Sequence, residues 1–410
     1  MQLKTTRVLA SGALAVGLVV AMLPSVSSAS TRTVSDSTFN TKFSTMALLK
    51  PVAAKGHGLI GVILPDEVTS ARYTQFDAPY LKKAFLAAGL TKRQFIIQNA
   101  LGSDTTEFTD AQADIAKGAR VLLVDPLDST AGAAIEGYAK ARGVKVIDYD
   151  RLTLGGIRSY YVSFNNVTVG TLIGKGMMSC LTAWKVTNPD IAIMYGAPTD
   201  NNATLFASGY NAVLSKAGYT VTAGSSTQTG AFKSVSVEPG TWTPGTAQTE
   251  FQQALSANHG VNAALMPNDA NAAAVITYLQ SQGVKAQTFP TTGQDAQTTG
   301  LQDIISGYQC GTVYKPIWLE AQAAAALAVY LRAGIKPPKG IVNSTTHDSV
   351  TSKNVPSALL SPVWVTASTL EATVIKDGQV TAKQLCTATA PVGVAGAPTY
   401  AADCATYGIH

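Results

Sequence analysis

The sequence predicts an α/β fold built as two doubly wound parallel-sheet lobes, on three observations. Short β-branched runs alternate with helical stretches, the alternation starts again after Tyr160, and the chain of 410 residues is too long for one ordinary domain. Strand–helix alternation of this kind demands a parallel sheet covered by helices on both faces, and two successive rounds of it make two lobes.

The first thirty residues come before that pattern. Lys4 and Arg7 give a short positive segment, followed by an apolar run from Val8 to Leu23 that Pro24 ends. Ser27-Ser28-Ala29 places small residues where a signal peptidase cuts. The run is shorter than the ~20 residues a membrane span needs. Residues 1–29 therefore read as a cleaved signal peptide, with an uncleaved anchor as the alternative, and the product is expected to be secreted, at an extracytoplasmic location (periplasm or outer cell surface). No Cys stands near the expected cut, so no lipid attachment is encoded there. Residues 30–55, rich in Ser, Thr and Ala, read as a flexible N-terminal arm.

In the first round, strands are expected at Leu59–Leu64, Gln94–Gln98, Arg120–Val124 and Lys145–Asp148. The helices between them, at Ala78–Ala88, Asp110–Lys117 and Ala131–Arg142, each stop at a Gly (89, 118, 143), where a left-handed residue ends a helix. In the second round, strands are expected at Ile191–Tyr195, Thr220–Ala223, Ala263–Met266, Thr288–Pro290 and Thr312–Tyr314. Helices are expected at Val167–Trp184, Leu205–Ala217, Ala247–Ala257, Ala272–Ser281 and Ile317–Arg332. In the last of these, Leu319, Ala323, Leu327 and Leu331 recur every four residues and make one apolar stripe.

Composition excludes several functions. Only 13% of residues are charged, against about 25% in a typical globular chain, and Lys and Arg form no cluster. The formal charge of +5 becomes +3 once Lys4 and Arg7 leave, so capture of a nucleic acid is not expected. The four Cys (180, 310, 386, 404) make an even count in an oxidising compartment and include no CxxC. Cys386 and Cys404 are near enough in sequence to close a short loop, which would leave Cys180 with Cys310. Sequence alone permits three pairings.

Ligands of doubly wound folds bind at the C-terminal edges of the strands, where loops and helix N-termini converge. Those edges are polar here. They carry Ser70-Ala71-Arg72-Tyr73, Asp148-Tyr149-Asp150-Arg151, Asp200-Asn201-Asn202, Asn268-Asp269, Gly293-Gln294-Asp295 and Lys315-Pro316. A polyhydroxylated neutral ligand needs such a set, since carboxylates accept from hydroxyls, Arg and Lys donate to them, and Asn does both. An aromatic such as Tyr73 or Trp242 would cover the apolar face of a sugar ring. The bland alternative is that these residues are helix caps and solvated loop residues.

The chain resembles the periplasmic-type monosaccharide-binding proteins of ABC sugar importers, in the xylose-binding and multiple-monosaccharide-binding branch. The likeness rests on Ala71-Arg72-Tyr73, Tyr149-Asp150-Arg151, Ser163-Phe164-Asn165-Asn166, Asp200-Asn201-Asn202-Ala203, Trp242-Thr243-Pro244, Asn268-Asp269-Ala270, Gly293-Gln294-Asp295-Ala296 and Val313-Tyr314-Lys315-Pro316, in that order between Gly58 and Gly378. It implies the periplasmic binding protein type I architecture, with a three-crossing hinge near Phe164–Asn166, Lys315–Pro316 and Thr345–Asn354. The N-terminal lobe would be residues 56–164 plus 316–345, and the C-terminal lobe 165–315 plus 346–385, with 386–410 as a C-terminal tail outside the pattern. The resemblance also implies a ligand set of Arg72, Tyr73, Asp150, Arg151, Asp200, Asn202, Trp242, Asn268, Asp295 and Lys315. It implies xylose or a related aldose as ligand, a membrane permease as partner, no cofactor, and a monomeric protein without catalysis. The loop Asp66–Ser70 departs from some xylose binders in lacking basic residues.

Other signals weigh less. Gly56-His57-Gly58-Leu59-Ile60-Gly61 spells GxGxxG but precedes its strand instead of following it. The four His (57, 259, 347, 410) show no metal-ligand spacing, and no GxSxG is present. Asp200 with Asp295 as a glycosidase pair is a minor alternative. A sensor that presents sugar to a chemotaxis or kinase receptor would use the same site.

Overall fold

The computed structural model describes residues 34–219, 235–237, 240–387 and 400–410. The expected signal peptide and the expected strand Thr220–Ala223 lie outside the described residues. Among the described residues no helix is long and apolar enough to cross a membrane.

The first lobe is built on β1 (Leu59–Leu64), β2 (Phe95–Asn99), β3 (Ala119–Val124), β4 (Lys145–Tyr149) and β5 (Tyr160–Phe164), with α2 (Ala78–Ala87), α3 (Asp104–Ala116) and α4 (Ser129–Lys140) between the first four. The expected runs form strands here; β1, β3 and β4 are apolar and buried in the covered parallel sheet, while β2, at the sheet's edge, is half-buried. Gly89, Gly118 and Gly143 all take positive φ just past their helices. The sheet order is β10-β11-β5-β4-β3-β1-β2, with β10 (Ser344–Asp348) and β11 (Lys353–Leu360) added from late in the chain. All pairs are parallel except the β10–β11 hairpin.

The second lobe carries β6 (Ile191–Ile193), β7 (Val235–Val237) and β8 (Ala263–Leu265) in the order β7-β6-β8, and β9 (Thr312–Tyr314) paired antiparallel with β12 (Val363–Val365). Its helices are α5 (Asn166–Ala183), α6 (Asn201–Lys216), α7 (Pro244–Ala257), α8 (Asp269–Ser281) and α9 (Thr298–Ile305). The expected strand at Thr288–Pro290 is not formed. Single bridges, Ala264 to Thr291 and Gln294 to Val313, join the two sheet pieces instead. Pro290 has no N–H to give a ladder. The Thr292 hydroxyl takes over, lying 2.8 Å from the Met266 nitrogen and 3.1 Å from its carbonyl oxygen.

The chain passes between the sheets three times. The first two crossings follow β5 and β9, and α10 (Ile317–Arg332) returns to cover the first lobe, with Ala321, Ala324 and Leu327 in that core. The third is a correction. Thr345–Asn354 lies in the β10–β11 hairpin, which belongs to the first sheet through β5, so the crossing falls at Ser361–Pro362. Strand β10 is a largely exposed polar edge and carries no apolar alternation to mark it.

The expected flexible arm is a second correction. From Val34 it runs through short helical turns and α1 (Lys50–Ala53), burying Phe39, Phe43, Met46, Leu49 and Ala53 against Leu81, Phe85 and Leu327. Each large apolar side chain so buried is worth roughly 1.5–3 kcal/mol. At the other end, α11 (Ala382–Thr387) and α12 (Tyr400–Thr406) set Leu385, Tyr400, Cys404 and Ile409 into the second-lobe core, so the described part of the tail is packed as well. Disulfides join Cys180 to Cys310 and Cys386 to Cys404, the pairing expected from proximity.

Candidate functional site

All ten residues expected at the site line one cavity between the two lobes, joined there by Thr69, Ser70, Phe206 and Gln294.

The loop after β1 brings in the first group. Asp66 accepts hydrogen bonds from the nitrogens of Val68 (2.7 Å) and Thr69 (2.6 Å) and from the Thr69 hydroxyl. That local turn sets Thr69 and Ser70 at the cavity. Ser70 Oγ lies 3.2 Å from Asp295 Oδ2 and accepts from Gln297 Nε2 at 2.8 Å, while Asn268 Nδ2 donates to Thr69 O at 3.2 Å. Arg72 and Tyr73 then open the helical turn that leads into α2. The Tyr73 ring has Arg72 5.4 Å and Arg151 5.7 Å from its centroid, and its hydroxyl accepts from Arg151 Nη2 at 3.1 Å.

Beyond β4, Asp150 sits at φ 58°, the left-handed region that a side chain with a Cβ adopts at some cost. Its carbonyl is held 2.9 Å from Tyr161 Oη and accepts from Asn202 Nδ2 at 2.9 Å. Its carboxylate accepts from Arg72 Nη1 at 2.8 Å and lies 3.6 Å from Lys315 Nζ. Burial works to raise its pKa, but Arg72, Lys315 and Arg151 outweigh burial and hold it at about 2. Asp295 also has positive φ, 92°, and lies 2.9 Å from Lys315 Nζ. For Lys315, burial works to lower the pKa and the carboxylates of Asp150 and Asp295 raise it, so the ammonium stays charged. Arg151 reaches Asp200 at 3.4 Å and Asp125 at 3.5 Å.

The helix-capping alternative also holds for two residues. Asp200 Oδ1 caps α6 through the Asn202 nitrogen (2.8 Å), and Asn268 Oδ1 caps α8 through the Asn271 nitrogen (2.9 Å). Both still face the cavity, because a helix cap at a strand's C-terminal edge is where the cleft lies. Asp200 Oδ2 accepts from Trp242 Nε1 at 3.0 Å, which fixes the indole. Gly196 makes room for it, since a Cβ there would meet the indole at 2.2 Å. Asn202 differs from the others. Tyr161 and Asn166 occupy its amide oxygen and the Asp150 carbonyl takes one amide hydrogen, so it serves chiefly as a tie between elements.

Among the cavity residues missed in the sequence, Ser70 and Gln294 were readable as neighbours of Arg72 and Asp295, whereas Phe206 falls one helical turn beyond Asn202. The lining thus sets Arg72, Arg151 and Lys315 against Asp150, Asp200 and Asp295, a formally balanced field of donors and acceptors. Such a field suits a neutral ligand with several hydroxyls.

The comparisons agree with this architecture. Residues 60–336 match the family described as periplasmic binding protein domain. The D-xylose-binding periplasmic protein of Escherichia coli (strain K12) is 33% identical over 337 residues, 82% of this chain and 94% of the relative. The multiple sugar-binding periplasmic protein SbpA of Azospirillum brasilense is 30% identical over 342 residues, 82% of this chain and 93% of that one. Among solved structures, a carbohydrate transporter solute binding protein from Chloroflexus aurantiacus in complex with D-glucose superposes with TM-score 0.67 at 28% identity, over 79% of this chain and 97% of that one. Sequence and fold agree, and the chain belongs to the periplasmic binding protein family.

Proposed function

We propose that this chain is an extracytoplasmic solute-binding protein that captures one neutral monosaccharide, xylose or a related aldose, between its lobes and delivers it to the permease of an ABC importer. The observation that carries the reading is the charge-balanced lining of the cavity, with three cations and three carboxylates around it. A sugar hydroxyl both donates and accepts, so it can replace lost water by bonding an Arg or Lys on one side and an Asp on the other. A net-charged ligand would instead leave one set of these groups without partners in a site shielded from water. The names of the relatives support a monosaccharide: the Escherichia coli protein is described as D-xylose-binding and the Azospirillum one as binding multiple sugars. The Chloroflexus structure holds D-glucose, which makes hexoses as well as pentoses the ligands to try. Binding that favours the closed arrangement shifts the lobes toward it, and closure then reports occupancy to the permease.

The test is a calorimetric and thermal-shift screen of pentoses, hexoses, inositols and sugar acids on the secreted chain. Specific binding raises the unfolding temperature by mass action. D-xylose or another neutral aldose should bind and sugar acids should not. A chain that binds none at millimolar concentration is not a monosaccharide receptor. Co-purification with a permease separates delivery to an importer from presentation to a sensor.

A further inference from the structure

Two buried carboxylates outside the cavity account for how Arg72 meets it. Arg72 Nε donates to Asp77 Oδ2 at 2.9 Å, and Nη2 donates to Asp77 Oδ1 and to Glu320 Oε2, each at 2.7 Å. Nη1 donates to Asp150 Oδ1 at 2.8 Å and lies 3.9 Å from Asp295 Oδ1. A guanidinium has five N–H groups, so four are committed and one Nη1 hydrogen remains. Asp77 is itself held by the Tyr149 hydroxyl, 2.5 Å from its Oδ1. Neither Asp77 nor Glu320 lines the cavity, and both are fully buried. Burying two more carboxylates behind one guanidinium carries a desolvation cost that only their bonds to it and to Tyr149 offset. What they do geometrically is fix the plane of the fork, so that Nη1 alone faces Asp150, Asp295 and the cavity.

We infer that Asp77 and Glu320 are positioning residues for sugar binding, acting through Arg72. The inference rests on the monosaccharide-binding reading. Glu320 stands in α10, directly after the second crossing between lobes, and it is the one acidic residue of an otherwise largely apolar helix. Burial pushes its carboxyl well above the ordinary range, against the pull of Arg72. An uncharged side chain of the same shape that keeps an acceptor for Nη2 should therefore serve nearly as well.

The experiment is titration calorimetry of the secreted chain with the tightest neutral monosaccharide of the screen, in a double-mutant cycle. Glu320→Met, which keeps the length and removes the acceptor, should weaken binding about tenfold, the loss of one charge-assisted bond's worth of alignment. Glu320→Gln should recover most of that loss. In a Arg72→Lys background, where no fork remains to be aligned, Glu320→Met should cost little further affinity. Unchanged affinity in Glu320→Met overturns the inference, as does an equal loss in both backgrounds, which would mark a general structural effect. Should Glu320→Met fail to fold, Tyr149→Phe makes the test through Asp77: a loss in the native background that vanishes beside Arg72→Lys supports the inference, and no loss overturns it. If the unaltered chain binds no monosaccharide at all, the functional reading fails and this inference with it. If it binds and the variants bind as tightly, only the inference fails.

Discussion

The carbonyl oxygen of Asp150, from the end of a first-lobe strand, accepts a hydrogen bond from Asn202 Nδ2, from the first turn of a second-lobe helix, at 2.9 Å. Tyr161 and Asn166 close the group around the Asn202 oxygen at 3.0 and 2.7 Å. Asp150 needs this support because its φ of 58° is costly for a residue with a side chain. The bond therefore links the backbone that aims a ligand-facing carboxylate to the element that carries the opposite wall.

Asn202→Ala removes one of the two donors to the Asp150 carbonyl and the amide oxygen on which Tyr161 and Asn166 converge, leaving only the Tyr161–Asp150 and Asn166–Tyr161 bonds. We expect a loss of about 1–3 kcal/mol in stability, read by urea unfolding of the sugar-free chain. Sugar affinity should fall too, since Asp150 loses its fixed direction. Wild-type stability in this variant would mean that the tie contributes nothing.

Much of this was legible in the sequence, and the exceptions are instructive. Parallel strands such as Leu59–Leu64 are continuous apolar runs and stand out, and the polar residues beyond them mark a cleft because topology forces strand ends together. The N-terminal arm misled because Ser, Thr and Ala dominate it. Yet Phe39, Phe43, Met46, Leu49 and Ala53 recur at three- and four-residue spacing, the spacing of a buried face, although the chain becomes helical only from Ser44. The hairpin Ser344–Leu360 was hidden by its polarity, and Pro356 reads as a break although its partner Thr345 lies on the edge strand. Asp77 and Glu320 could not be assigned from sequence, since their role exists only through the position of Arg72.

Arg151→Ala and Asp295→Ala should each weaken monosaccharide binding by about 1–3 kcal/mol, roughly ten- to a hundredfold. Arg151 bridges Tyr73, Asp125 and Asp200, and its loss takes the ion-pair partner from both carboxylates. Asp295 holds Lys315 Nζ at 2.9 Å and Ser70 at 3.2 Å, so its loss leaves the ammonium with Asp150 alone, at 3.6 Å, and removes one of the bonds that hold the loop. Calorimetry decides, and unchanged affinity in both variants would place the site elsewhere.

Removing the Cys180–Cys310 disulfide should destabilise the second lobe strongly. It spans 130 residues, and closing a loop of that order is worth about 4–5 kcal/mol on the chain-entropy view. The Cys386–Cys404 bridge spans 18 residues and should contribute nearer 3 kcal/mol. Paired Ser substitutions, compared by denaturant unfolding, should therefore rank in that order. Equal losses, or a larger loss from the short loop, would show that local packing governs both.

Stability should fall as pH rises from 5 to 8. Burial raises the Glu107 carboxyl to about 8 and the Asp269 carboxyl to about 7, against the bonds that Leu127 gives the first and Gln309, Thr312 and Gln297 give the second. Their unfolded values lie near 4. Between those limits the folded chain binds more protons than the unfolded one, so the slope of stability with pH is negative. Asp150 has the opposite sign, because its folded pKa of about 2 lies below the unfolded value and its contribution is lost only as pH drops from about 4 toward 2. The unfolding temperature should thus peak near pH 4 to 5 and decline above it. Glu107→Gln, which keeps an acceptor for the Leu127 nitrogen and cannot ionise, should flatten that decline. Scanning calorimetry from pH 4 to 9 reads both effects, and a variant whose pH slope matches the native chain's would show that Glu107 does not carry the buried proton.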